Sequence, residues 1–222
     1  MKNVTEIRKF QIFSFNELSE SARDIVKNMY LEMYRQDGSL TDVFNEQLSE
    51  TFPNSDLHVQ YSLSSCQGDG VNIYGTLSLN DMLNHAKPAL SYECENCLES
   101  IFKDIISDIT LPANDRYCYC ICDRQDIYGT ISDALCDYVD VDEFSLSDAI
   151  AIKVAEPFIK QFEGLTKEYL HDLCTNMEKQ GYNYLYEVDD ETVKEFAETN
   201  DWMFYEDGRL YTYDSSIETY MD

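Results

Sequence analysis

Two runs of strict alternation bracket one short turn, and nothing else in the sequence constrains the fold as tightly. Residues 57–64 set Leu57, Val59, Tyr61 and Leu63 on one side and His58, Gln60, Ser62 and Ser64 on the other. Residues 71–79 set Val71, Ile73, Leu77 and Leu79 against Asn72, Tyr74, Thr76 and Ser78. A period of two is that of a half-buried strand, and "SCQGDG" between the runs predicts an antiparallel hairpin. Gly68 and Gly70 permit positive φ, and the Asp69 carboxylate can accept from nearby backbone amides. The same stretch invites comparison with a phosphate loop. A dinucleotide fingerprint needs Gly-x-Gly-x-x-Gly opening a helix, whereas here the third glycine, Gly75, is displaced, strand residues follow, and Asp69 would repel a phosphate. The reading is a turn that leaves Gln67 and Asp69 exposed and available to a partner.

Helical periodicity surrounds the hairpin. After a strand expected in "RKFQIFSF", Asn16 or Ser19 caps a helix with Ala22, Ile25, Val26, Met29, Tyr30 and Met33 on one face. Further helices are expected over 42–52, stopped by Pro53, from about Asn80, over 92–109, and from Ser145 to about Gln180 with a kink near Pro157 and Gly164. "RYCYCICD" reads as a strand. A short helix from Asp190 to Thr199 precedes "WMFYEDGRLYTY", whose Asp-Gly between aromatic residues predicts a tight hairpin. The expected fold class is α+β, an antiparallel sheet packed against several helices with one long helix in the second half. Residues 1–222 are expected to form a single domain, with a subdivision into a sheet-rich part, 1–125, and an acidic, helix-rich part, 126–222.

The 222 residues carry 43 acidic and 16 basic side chains, a net charge of −27. A folded chain of this length is about 45 Å across, and duplex DNA of that length carries about 26 phosphate charges. Direct binding to nucleic acid or to an anionic membrane is disfavoured, while a basic groove on another protein would attract the chain at long range. The charge concentrates late, with −6 over residues 131–150 and −10 over residues 181–222. No segment reads as a membrane span or a secretion signal, so the expected compartment is the cytoplasm.

Eight cysteines, at 66, 94, 97, 118, 120, 122, 136 and 174, are read as free thiols in such a compartment. "CENC" at 94–97 has zinc-knuckle spacing, and 118–122 could supply two more thiolates. If 118–122 is a strand, however, Cys118, Cys120 and Cys122 share one face, as small core residues would, and a second Cys-x-x-Cys is absent. No metal and no cofactor are expected. His58, His85 and His171 stand in no catalytic signature, "DYVDVDEFSLSD" lacks the glycine of a calcium loop, and no catalytic residue is assigned.

Three segments, "FSFNELSESARDIVKNMY", "YSLSSCQGDGVNIYG" and "ETVKEFAETNDWMFYEDGRLY", together resemble a family of phage-encoded proteins. The shared elements are an F-x-E-L-S-E-x-A helix, an S-x-Q-G-D-G hairpin and a C-terminal helix with an Asn, aromatic, Asp-Gly ending. Residues 80–165 lie outside the resemblance. It implies phage origin and the bacterial host cytoplasm, and transfers no activity, since the family carries none that is established.

With phage origin, the charge suggests a non-enzymatic inhibitor of a host defence enzyme, a CRISPR effector or restriction nuclease, acting by nucleic-acid mimicry. The residues expected to meet that partner are Asp137, Asp140, Asp142, Glu143, Asp148, Glu187, Asp189, Asp190, Glu191, Glu206, Asp207 and Asp214, with Gln67 and Asp69 of the turn. The alternatives are an antitoxin-like module acting on a basic toxin or polymerase, and a small zinc-supported enzyme.

Overall fold

In the computed structural model, which describes residues 11–35, 39–138 and 146–212 apart from the side chains of 34, 35 and 146–151, the alternating runs form the first two strands. β1 (Asp56–Ser62) and β2 (Gly70–Ser78) pair antiparallel, with Leu57 opposite Gly75 and Ser62 opposite Gly70. β3 (Asp108–Leu111) adds to the other edge of β2. The α-helices among the described residues are α1 (Glu20–Arg35), α2 (Ser39–Thr51), α3 (Leu79–Ala86), α4 (Tyr92–Asp104), α5 (Ile127–Tyr138), α6 (Leu146–Tyr186) and α7 (Asp190–Thr199). The fold is α+β, with one long helix in the second half. No helix among the described residues is long and apolar enough to cross a membrane.

The chain divides into two compact units, residues 39–182 and the segments through Gly38 and from Asn183, so the division does not fall near residue 125. In the 39–182 unit, α2 buries Leu40, Phe44 and Leu48 at four-residue intervals, and Phe52 just beyond its end extends the stripe. α6 supplies a matching row, Ala155, Ile159, Phe162, Thr166, Leu170, Cys174 and Met177. The buried Asp81 of α3 accepts from the Asn54 backbone N–H at 2.8 Å, Asn54 Nδ2 at 2.7 Å and Ser55 Oγ at 2.9 Å. Three donors compensate its burial and tie the α2–β1 turn to the start of α3.

The other unit packs Ala22, Val26 and Tyr30 of α1 against Val193 and Ala197 of α7, with Phe15, Leu18, Leu31 and Phe204. Ser19 is the cap of α1, accepting from the Ala22 N–H. The C-terminal turn forms as expected around Asp207-Gly208, where Gly208 donates to the Tyr205 carbonyl at 2.9 Å.

Several expectations are corrected. Ile25 and Met33 face outward, about half exposed, to the side of the buried stripe Ala22, Val26 and Tyr30. α4 ends at Asp104 rather than 109, and the alternation of Ile109 and Leu111 with Asp108 and Thr110 forms β3 instead. α5 is additional, capped by Asp126, whose carboxylate accepts from the Gly129 N–H at 2.7 Å. α6 continues through Pro157 and Gly164 to Tyr186, and its expected cap, Ser145, lies outside the described residues. At the N-terminus, Phe13 forms an isolated bridge to Phe204 and no longer strand is present among the described residues. "RYCYCICD" is not a strand but an irregular segment ending in a 3₁₀ turn at Cys122–Arg124.

Gly208 has φ +84°, and a Cβ there would collide with the Ala22 carbonyl. Gly208→Ala is therefore expected to destabilise its unit by at least about 1–3 kcal/mol, measured as a lowered urea midpoint.

Candidate functional site

The predicted partner-binding carboxylates divide into those that hold the fold together and those that face solvent. Asp189 is the N-cap of α7 and accepts from the Thr192 N–H at 2.8 Å. Asp190 takes Arg23 Nη1 at 2.8 Å and also pairs with Lys27; these bonds, with Lys27 the larger contributor, hold its carboxyl below the ordinary range. Asp207 accepts from the backbone and guanidinium of Arg209. Glu187, Glu191 and Glu206 are exposed in the same unit, and Asp137 is exposed near the end of α5 in the other. Asp140, Asp142, Glu143 and Asp214 lie outside the described residues, as does the side chain of Asp148.

In the hairpin turn, Gln67 is exposed, whereas Asp69 is half-buried and bonded within its own turn. Its carboxylate accepts from Ser62 Oγ at 2.6 Å, the Cys66 N–H at 2.6 Å and the Ser64 N–H at 2.8 Å, which lower its pKa in that order of first causes, Ser62 then Cys66. The glycines serve a second purpose. Gly68 and Gly70 have φ +93° and +144°, and a Cβ on either would collide with or crowd Tyr117 and Tyr119 of the irregular segment.

That segment, residues 112–125, is fastened by side-chain amides. In the β2–β3 register, Gly75 faces Leu111, so the next pair would set Tyr74 against Pro112. Proline has no N–H to give, and the ladder stops there. Buried Asn72 takes over, donating to the Pro112 carbonyl at 3.3 Å and accepting from the Ile121 N–H at 3.1 Å. Gln60 exchanges bonds with the Asn114 backbone at 2.8 and 3.0 Å. Asn114 Oδ1 accepts from the amides of Arg116 and Tyr117, and Cys118 N–H donates to Gly68 O at 3.1 Å.

The segment so held carries Cys120 and Cys122 to α6. Their Sγ atoms are 3.1 Å apart, and with a ring nitrogen of His171 they form a set of donor atoms within 4.8 Å of one another. Cys122 Sγ also reaches the Lys167 carbonyl at 3.5 Å. The neighbouring sulfurs, Cys122 first and then Cys174, pull the Cys120 pKa down, while contact with the Cys120 sulfur first and burial second push those of Cys122 and Cys174 up. All eight cysteines are free. Sulfur and imidazole donors in this arrangement suit a soft or borderline cation. Reading 118–122 as a strand hid this cluster; the legible signal was His171-x-x-Cys174, since a helix sets residues three apart on one face.

Compared with protein-family models, curated proteins and solved structures, the chain matches none.

Two outcomes test this geometry. Asn72→Ala leaves the Ile121 N–H and Pro112 carbonyl without their partner and is expected to cost about 1–3 kcal/mol, with faster hydrogen exchange at Ile121. Asp190→Asn is expected to lower stability at neutral pH. Because the folded pKa of Asp190 is depressed, its contribution is complete above the unfolded value of about 3.9 and disappears as pH falls through the folded value, so wild type and variant should converge in acid.

Proposed function

We propose that the chain is a non-enzymatic, strongly acidic phage protein that binds a host defence enzyme, a CRISPR effector or restriction nuclease, in the basic groove where that enzyme holds nucleic acid. The observation that carries this reading is the net charge of −27. Internal pairing does not absorb it. Lys87, Lys160, Lys167, Lys194 and Arg209 already sit against carboxylates, and 43 acidic groups face 16 basic ones.

α7 presents the most ordered part of the excess. Glu191, Glu195 and Glu198 are exposed at i, i+4 and i+7, one face of the helix, opposite buried Val193 and Ala197. At 1.5 Å rise per residue they span about 10.5 Å, about one charge per 5 Å, against one per ~3.4 Å along a DNA strand. Lys194 offsets part of this at Glu191, 2.8 Å away. Exposed Asp201 and Glu206 add to the charge of the same unit. Glu195 and Glu198 extend the set of partner-binding residues expected from the sequence, and helical spacing is the signal that identifies them.

Such a surface would draw a basic partner by long-range attraction that salt weakens. Affinity capture with the full chain from bacterial cells, followed by mass spectrometry, is expected to return a basic nuclease or effector. Replacing Glu191, Glu195 and Glu198 together by Lys is expected to weaken that complex on the order of 100-fold at low salt without changing the circular dichroism spectrum. A complex indifferent to both salt and these substitutions, or capture of a phage replication protein alone, would refute the reading.

A further inference from the structure

We propose that Cys120, Cys122, His171 and Cys174 form a tetrahedral site for a zinc ion that fastens the irregular segment 112–125 to α6. Two short-spaced pairs converge, Cys-x-Cys at the end of the segment and His-x-x-Cys on one face of the helix. Donor atoms of Cys120, Cys122 and His171 already lie within 4.8 Å of one another, and Cys174, one helical turn beyond His171, lines the same small cavity as Cys120 and Cys122. With zinc–sulfur bonds of about 2.3 Å and zinc–nitrogen bonds of about 2.0–2.1 Å, tetrahedral donors stand about 3.5–3.8 Å apart, so the Cys120 and Cys122 sulfurs, 3.1 Å apart, would open by about 0.7 Å while the His171 nitrogen, within 4.8 Å, would close by about 1 Å.

The surroundings fit one small ion. Cys120, Cys122 and Cys174 line a cavity of about 10 Å³, together with Asn72, Ile73 and Leu170. That is room for roughly one water-sized sphere, too little for an organic ligand. Cys122 and Cys174 are buried whereas His171 is exposed, which gives a closed sulfur floor and a path of entry from solvent. Three sulfurs and an imidazole favour zinc over magnesium or calcium, which take oxygen ligands. Cys94 and Cys97, the pair with knuckle spacing, join no such cluster among the described residues.

This site rests on the thiol geometry and not on the chain's charge, so it stands or falls separately from the binding function. The full chain, purified without chelator, is expected to hold about one zinc by elemental mass spectrometry. After exchange to cobalt it should show thiolate-to-metal charge transfer and the intense visible bands of a tetrahedral ion. His171→Gln, an exposed position that leaves the core intact, is expected to weaken zinc at least tenfold, since even outer partners of a ligand cost about 10- to 100-fold. Cys94→Ser with Cys97→Ser should leave zinc content unchanged. Neither zinc nor a cobalt spectrum, metal lost with Cys94 and Cys97 but retained in His171→Gln, or isolation of Cys120 and Cys122 as a metal-free disulfide would each overturn the proposal.

Discussion

The side chain of Asn72 holds a segment that is irregular apart from one 3₁₀ turn at its end. Where irregular backbone lies against a sheet, its N–H and C=O groups must find partners, and after Pro112 ends the β2–β3 ladder the sheet's backbone no longer provides them. Asn72 replaces the missing rungs with one amide, bonding to Pro112 at one end of the segment and to Ile121 at the other. Gln60 and Asn114 serve the stretch between them. The positions of Cys120 and Cys122 against α6 follow from these bonds rather than from the cysteines themselves. The glycines of the hairpin turn belong to the same device, since only a residue without Cβ lets Tyr117 and Tyr119 come so close.

A chain with this much negative charge also uses carboxylates as structural acceptors. Asp69 gathers the amides of its turn, Asp81 those of the α2–β1 connection, and Asp126 and Asp189 the free N–H groups at helix starts. At a helix N-terminus or inside an amide nest, a negative group meets partial positive charge and stabilises the fold. Carboxylates used this way are already engaged within the fold. The outer face of α7 differs because Glu195 and Glu198 lie beyond the first turn, away from the N–H groups of the helix start, and with Glu191 they point away from Val193 and Ala197.

Sequence periodicity located the elements whose neighbours are local. The hairpin, α1, α2 and α7 are legible because their apolar spacing, caps and turn residues agree with one another. Agreement failed where tertiary pairing decides. Cys118, Tyr119, Cys120, Ile121 and Cys122 alternate like a strand, yet Pro112 had already closed the edge they would need. β3 was concealed because Ile105 and Ile106 extend the helical pattern of α4 to within three residues of Ile109. The cysteine–histidine cluster joins residues about 50 positions apart, and no local window contains both halves.

The proposed metal site and the acidic surface draw on different parts of the chain. Thiols become zinc ligands only by giving up their protons, so metal affinity at Cys120, Cys122, His171 and Cys174 would fall as pH falls. The carboxylates of the surface discharge only near the ordinary range of about 4. Metal would act locally, by holding the segment 112–125 on α6, and long-range attraction to a basic partner would rest on the carboxylates. Acidification would therefore loosen the segment before it discharged the surface.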